Sequence, residues 1–201
     1  MTNTENTVAQ AKLSLRKRLK AERKAFDLQE VQTSSCKVAE LVAQTTFFQQ
    51  ADCLMAYLAF GKELSVDELI RKAWAAGKKI CVPYICSDTE MVAVELQSFD
   101  KLTLDRYGIR SVAEPVKVVP PEELQLILVP GVAFSRKGER LGMGAGYYDR
   151  YLAKASGAIR CGIAYEKLLQ AAIPTDQYDL PMDYVVAENS IFQISQEKSA
   201  K

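Results

Sequence analysis

The sequence predicts an α/β protein: a single-domain three-layer α/β/α sandwich around a largely parallel, Rossmann-like central sheet. Three observations carry this expectation. Apolar runs of strand length alternate along the chain with segments of helical spacing, the order in which βαβ units are written. The run LILV at 126–129 is apolar without a break, as suits a strand covered on both faces. The chain has 201 residues, 48% hydrophobic and 25% charged, with no internal repeat and no linker, which fits one core of ordinary globular composition.

Residues 1–6 and 196–201 are polar and are expected to be flexible, leaving 7–195 as the single α/β domain. Residues 7–26 read as a helix with Leu15, Leu19 and Phe26 on one stripe. Its other faces carry Lys12, Arg16, Lys17, Arg18, Lys20, Arg23 and Lys24. A second helix is expected over 30–45. Residues 53–58 read as a buried strand, followed by the loop Phe60-Gly61-Lys62-Glu63. Residues 66–76 have helical spacing, with Trp74 on the apolar side and Gly77 as the stop. A short strand at 79–83 ends in proline, and alternation at 91–96 predicts a more exposed strand. Residues 100–124 carry loop signals. After the buried strand at 126–129 come a glycine-rich loop and a helix, a strand at 159–165, and two short terminal strands at 185–187 and 191–194.

Composition narrows the function. A formal net charge of +1 argues against a bulk electrostatic partner such as nucleic acid. No apolar run approaches the roughly 18 residues of a membrane span, and the polar start MTNTENTVAQ lacks a signal-peptide core. Five scattered cysteines without a C-x-x-C are expected to be buried free thiols of a cytoplasmic protein. The chain contains no histidine, which removes Ser-His-Asp and Cys-His triads and every histidine-based metal site. Chemistry that works by positioning and charge neutralisation, such as phosphoryl transfer, loses little by that absence.

The segment 126–151 concentrates the chemistry. Pro130-Gly131 ends the buried strand; Arg136, Lys137 and Arg140 lead to Gly142, Gly144 and Gly146; Tyr147, Tyr148, Asp149 and Arg150 follow. Alternate glycines let several N–H groups approach one anion, and arginine adds a phosphate-matched fork. The spacing is neither the dinucleotide fingerprint nor a Walker loop. In an open α/β sheet this loop would sit outside the strand's carboxyl end, where the next helix points its amino end. From the residues alone, a sugar-phosphate isomerase or transferase using the loop for a substrate phosphate remains an alternative, as does a nucleic-acid binder working through the basic first helix.

The stretch LILVPGVAFSRKGERLGMGAGYYDRYL resembles the signature of the 5-formyltetrahydrofolate cyclo-ligase family. Other pieces match in order: Lys12-Leu13-Ser14-Leu15-Arg16 is similar to its K-x-x-L-R, and Tyr57-Leu58-Ala59-Phe60-Gly61-Lys62-Glu63-Leu64 to its first strand and loop. Gly108-Ile109 with Glu114-Pro115, and Leu180-Pro181-Met182-Asp183-Tyr184-Val185-Val186, resemble later elements, so the likeness spans about 11–194. It implies an ATP- and Mg²⁺-dependent conversion of 5-formyltetrahydrofolate and its polyglutamates to 5,10-methenyltetrahydrofolate by a monomer. It further implies that Lys12, Leu13, Ser14, Leu15 and Arg16 bind ATP together with Arg140, Leu141, Gly142, Met143, Gly144, Ala145, Gly146, Tyr147 and Tyr148. Leu58, Glu63 and the 143–147 stretch would meet the folate. Arg140, Lys12 and Tyr147 would act on the reacting groups, and Asp149 and Asp183 would hold Mg²⁺. The chain departs from the family at Tyr178-Asp179, where a His-Asp pair is common, and at Ala145, Ser65 and Val66.

Overall fold

The computed structural model describes residues 3–104 and 108–194. The chain opens with three helices, α1 (Asn3–Lys24), α2 (Leu28–Ala43) and the short α3 (Thr46–Gln50). Then come β1 (Cys53–Met55), α4 (Asp67–Ala75), β2 (Lys79–Ile85) and β3 (Met91–Glu95). Short strands follow: β4 (Leu102–Leu104), β5 (Arg110–Val112), β6 (Val118–Val119), β7 (Leu126–Val129), β8 (Ala133–Phe134) and β9 (Arg140–Leu141). The last elements are α5 (Tyr147–Lys154), β10 (Ile159–Ile163), β11 (Tyr184–Ala187) and β12 (Ser190–Gln193).

Eight strands form one sheet in the order β12-β11-β10-β7-β1-β2-β3-β6. The five central strands, from β11 to β2, run parallel, and the strands outside them are antiparallel. The unbroken run of β7 now has its cause. Leu126 and Leu128 pack into the cluster with Leu19, Val38, Val42, Leu69 and Ile70, on the face covered by α1, α2 and α4. Ile127 and Val129 pack into the other, with Phe134, Tyr151 and Leu152 of the β8–β9 hairpin and α5. All four residues of β7 are fully buried, each side chain contributing about 1.5–3 kcal/mol of apolar transfer. β1 lies between β2 and β7, and the crossovers on its two sides use opposite faces, so β1 and β7 flank the topological switch point where ligands of such sheets collect.

Several expectations change. α1 starts at Asn3, so residues 3–6 are helical rather than loose; 195–201 lie outside the described residues. The helix expected over 30–45 starts earlier, because Asp27 caps it by accepting from Glu30 N at 2.7 Å. It also stops earlier, and Thr45 caps a separate α3 through Phe48 N. β1 is three residues long: after Met55 the chain leaves the ladder and curls back, with the Tyr57 hydroxyl donating to Leu64 O at 2.6 Å. β3 is not an exposed strand. Met91, Ala93 and Val94 are buried because β6 pairs on its outer side. Residues 100–124 contain β4, β5 and β6 in addition to turns. Cys53, Cys81 and Cys161 are buried, whereas Cys36 and Cys86 are exposed. Trp74 is partly buried against the core, its indole N–H donating to Leu96 O at 3.0 Å. Among the described residues no helix is long and apolar enough to cross a membrane.

Candidate active site

The glycine loop is delivered by a compact hairpin. Gly131 follows β7 at a point where a Cβ would come within 2.7 Å of the Phe134 ring, so no larger residue fits. The fully buried Ser135 hydroxyl accepts from Lys137 N at 3.1 Å and Glu139 N at 3.2 Å, closing the hairpin turn. The returning strand β9 carries Arg140 under the loop, 7% exposed. Its Nη2 donates to Asp149 Oδ1 at 2.6 Å and its Nη1 to Pro130 O at 3.4 Å. The guanidinium also lies 5.7 Å from the Tyr148 ring centre. Nε is buried without a hydrogen-bond partner among the described residues.

The alternation of glycines has a physical reason that only the fold reveals. A Cβ on Gly142 would sit 2.9 Å from Arg140 Nη1, one on Gly144 3.4 Å from Arg16 Cζ, and one on Gly146 2.6 Å from Arg150 Nη1. Three guanidinium groups thus lie against three glycines. Arg16 comes from α1 and donates from Nε to Gly142 O at 2.8 Å. Arg150 donates to Ala145 O at 3.0 Å and to Thr89 O at 2.8 Å, and lies 5.4 Å from the Tyr147 ring centre. The Tyr147 hydroxyl donates to Ser87 O at 3.0 Å, so the β2–β3 turn is fastened to the start of α5.

Lys12, one helical turn before Arg16, donates to Asp176 at 2.6 Å and to Asp179. Burial opposes its charge, yet the two hydrogen-bonded carboxylates together raise its pKa above the ordinary lysine value. Leu13 beside it is exposed, as are Met143, Gly144 and Ala145 at the crest of the loop, while Leu141 is buried beneath. Leu15 packs against the core, so within 12–16 the polar reach toward the loop comes from Lys12 and Arg16. Ser14, with Thr7 and Gln10, lines an open groove along α1.

A second centre lies between the loops after β1 and β7. Glu63 Oε2 accepts from Phe60 N at 3.1 Å, and Oε1 faces Arg23 Nη2 at 3.5 Å. Burial raises the Glu63 pKa above the usual carboxylate value against the pull of Arg23, the Phe60 N–H and Lys20. A cavity of about 10 Å³ is lined by Arg23, Tyr57, Glu63, Gly131 and Tyr165 among others. Leu58 is almost wholly buried in the core and offers little surface to a ligand. The Tyr148 hydroxyl is buried without a hydrogen-bond partner among the described residues, and burial pushes its pKa well up.

The proposed metal acids separate. Asp149 stands under the loop, with Oδ1 on Arg140. Asp183 does not join it. Both its oxygens bond the Arg160 side chain, at 2.9 and 3.0 Å, and Oδ2 also accepts from Arg160 N at 2.7 Å. Arg160 is at the start of β10, so this pair clamps the amino ends of β10 and β11, away from the carboxyl ends that frame the loop. The carboxylates brought to the Lys12 side are instead Asp176 and Asp179. Among the described residues no three His, Cys, Asp or Glu side chains cluster. Mg²⁺ bound chiefly through nucleotide phosphates needs only one or two carboxylates, and of Asp149 and Asp183 the former is the one that stands under the glycine loop.

Four functional candidates escape sequence reasoning: Arg23, Arg150, Asp176 and Asp179. Arg23 had a signal, since it continues the Leu15–Leu19 stripe at the next i+4 position of the helix. Asp176 and Asp179 acquire meaning only from Lys12, far along the chain, whereas Arg150 meets the nearby Gly146 and Tyr147 and is tied in addition to Thr89.

Fold and site together have the form of an α/β enzyme: a glycine loop ringed by arginines at the switch point of a parallel sheet, with a buried Glu63–Arg23 centre beside it. Comparison with known proteins agrees. The pattern of the 5-formyltetrahydrofolate cyclo-ligase family matches residues 8–188. The chain is 28% identical over 196 residues to the 5-formyltetrahydrofolate cyclo-ligase of Mus musculus, covering 92% of this chain and 97% of that one. With the Haemophilus influenzae cyclo-ligase it shares 32% over 139 residues, 67% of this chain and 74% of the relative. The solved structure of the Aquifex aeolicus 5,10-methenyltetrahydrofolate synthetase superposes with a TM-score of 0.82 at 28% identity, covering 94% and 96% of the two chains. The chain belongs to the 5-formyltetrahydrofolate cyclo-ligase family.

Proposed function

We propose that this chain converts 5-formyltetrahydrofolate and ATP to 5,10-methenyltetrahydrofolate, ADP and phosphate. The observation that carries the reading is the set of three guanidinium groups seated on three alternate glycines beside the Glu63 centre. It provides for a triphosphate and a heterocycle at once, which a sugar-phosphate enzyme would not need.

The reaction asks for positioning more than for a protein nucleophile. The formyl oxygen attacks the γ-phosphorus of ATP and the bond to ADP breaks. Phosphorylation turns that oxygen into a leaving group. N10 of the folate then bonds to the formyl carbon, loses its proton to solvent, and the C–O bond breaks as phosphate departs. Arg16, Arg140 and Lys12 balance the charge that moves across the phosphates, and the loop N–H groups hold them in line. Lys12 reaches them by exchanging its carboxylate partners for phosphate oxygens. Mg²⁺, which Asp149 would help to hold, would supply further charge neutralisation. Tyr147 and Tyr148 flank the loop as ring surfaces for the bound heterocycles. Histidine is not required at any step. Polyglutamated folate, a monomeric chain and a cytoplasmic setting belong to the same reading.

The deciding experiment follows absorbance at the methenyltetrahydrofolate band while the pure protein meets 5-formyltetrahydrofolate, ATP and Mg²⁺. A rise that needs all three is the expected result. ATP binding without any rise would mean a real nucleotide site with a different substrate.

A further inference from the structure

Helix α1 sends three cations toward the site from one face. Lys12 and Arg16 reach the phosphate side; Arg23, two turns further on, reaches the other centre. Arg23 is 8% exposed, a depth at which arginine is found only when paired. Nη1 donates to Gly131 O at 3.1 Å, and Nη2 stands 3.5 Å from Glu63 Oε1. Gly131 is the first turn after β7, and Glu63 belongs to the loop after β1. One planar fork therefore spans the two loops at the switch point. One of these leads into the phosphate loop and the other carries the acid. The Arg23–Glu63 contact is long and borders a small cavity, so the pair is not locked by packing and can tighten when its surroundings change.

We propose that Arg23 is a positioning residue for the folate. It holds the Glu63 carboxylate as an oriented anionic acceptor for the paired N–H donors of the pterin edge, and it sets that acceptor's place relative to the phosphate loop. The proposal rests on the folate reading given above. It adds a residue that makes no contact with the reacting atoms and acts through Glu63. Glu63 is faced by Arg23 and Lys20 of α1, Tyr57 after β1, Tyr148 of α5 and Tyr165 after β10. Burial favours the neutral acid, while Arg23 and Lys20 favour the ion. Loss of Arg23 therefore raises the Glu63 pKa further. Folate affinity that needs the ion is present above that pKa and lost as pH falls through it, so the acid limb moves up.

The test compares wild type, R23Q, R23K and E63Q in full-length protein. Binding of 5-formyltetrahydrofolate and of ATP is measured separately from turnover, across the acid limb of the pH profile. R23Q is expected to weaken 5-formyltetrahydrofolate binding about tenfold or more, leave ATP binding within about twofold, and shift the acid limb upward. R23K, which keeps the charge but not the two-armed reach, is expected to fall between. Unchanged folate binding with an unmoved limb would overturn the proposal. So would an equal loss of both ligands, which a merely structural role would give. If R23Q does not fold, the comparison of wild type with E63Q decides: affinity that falls on acidification in wild type and is flat in E63Q supports the anionic acceptor, and parallel profiles overturn it. Wild type that binds 5-formyltetrahydrofolate without turnover would overturn the proposed reaction and leave the Arg23 comparison standing.

Discussion

Arg140 is a buried cation with one strong partner and one bare nitrogen, held under a loop of glycines. Its removal takes away the charge that the proposed reaction uses against the phosphates and leaves the Asp149 carboxylate half-buried and uncompensated. Arg140→Ala is expected to lower turnover at least tenfold, about 1.4 kcal/mol of transition-state stabilisation, and steady-state rates check it. Asp149 and Asp183 make an informative pair, because both are bonded to arginine yet stand at different places. Asp149→Asn should raise the Mg²⁺ concentration needed for half-maximal rate, and should also cost about 1–3 kcal/mol of stability because it leaves the buried Arg140 without its charged partner. Asp183→Asn should cost stability without the Mg²⁺ effect. It breaks a partly buried, doubly bonded ion pair between β10 and β11 and should cost about 1–3 kcal/mol in a urea melt, with the Mg²⁺ dependence unmoved. A Mg²⁺ titration of both variants separates the two roles.

At the scale of elements, the glycine loop shows what the sequence reveals and what it withholds. The three glycines, the basic residues around them and the Lys12–Arg16 spacing are legible because they lie within one local segment each and obey simple geometry. The seating of Arg16 on Gly144 is not, since it joins residues that meet only through the fold. No role attaches to Asp176 or Asp179 from the sequence until α1 brings Lys12 to them. Asp183 is the opposite case: a motif position suggests a ligand, while its strand register also sets it on Arg160. Of the fold, β7 and α5 are plain in the pattern; β1 reads too long because its apolar run continues into a buried loop. Gly146 offers a test of the loop itself. It has φ 71°, and a Cβ there would collide with the Arg150 guanidinium. Gly146→Ala is expected to cost about 1–2 kcal/mol in stability from the left-handed backbone alone. It should also weaken ATP binding several-fold as Arg150 and Tyr147 shift, which calorimetry would show.

At the scale of the molecule, the two ligand centres sit on loops of adjacent strands, and α1 touches both. A bound nucleotide and folate should therefore stabilise the chain as a whole. At a hundredfold excess over Kd a single ligand adds about 2.7 kcal/mol, or ~5–10 °C in melting temperature for a domain of this size. A thermal shift with a non-hydrolysable ATP analogue and Mg²⁺ measures it. The same reach of α1 carries a consequence for synthesis. Lys12, Arg16 and Arg23 are made long before their partners, which lie 164, 126 and 108 residues downstream, at Asp176, Gly142 and Gly131. Until those partners emerge, the nascent helix carries a row of unmatched cations exposed to whatever polyanion is nearby. A chain stalled before Arg140 would hold β1, β2 and β7 of the parallel sheet and none of the glycine loop.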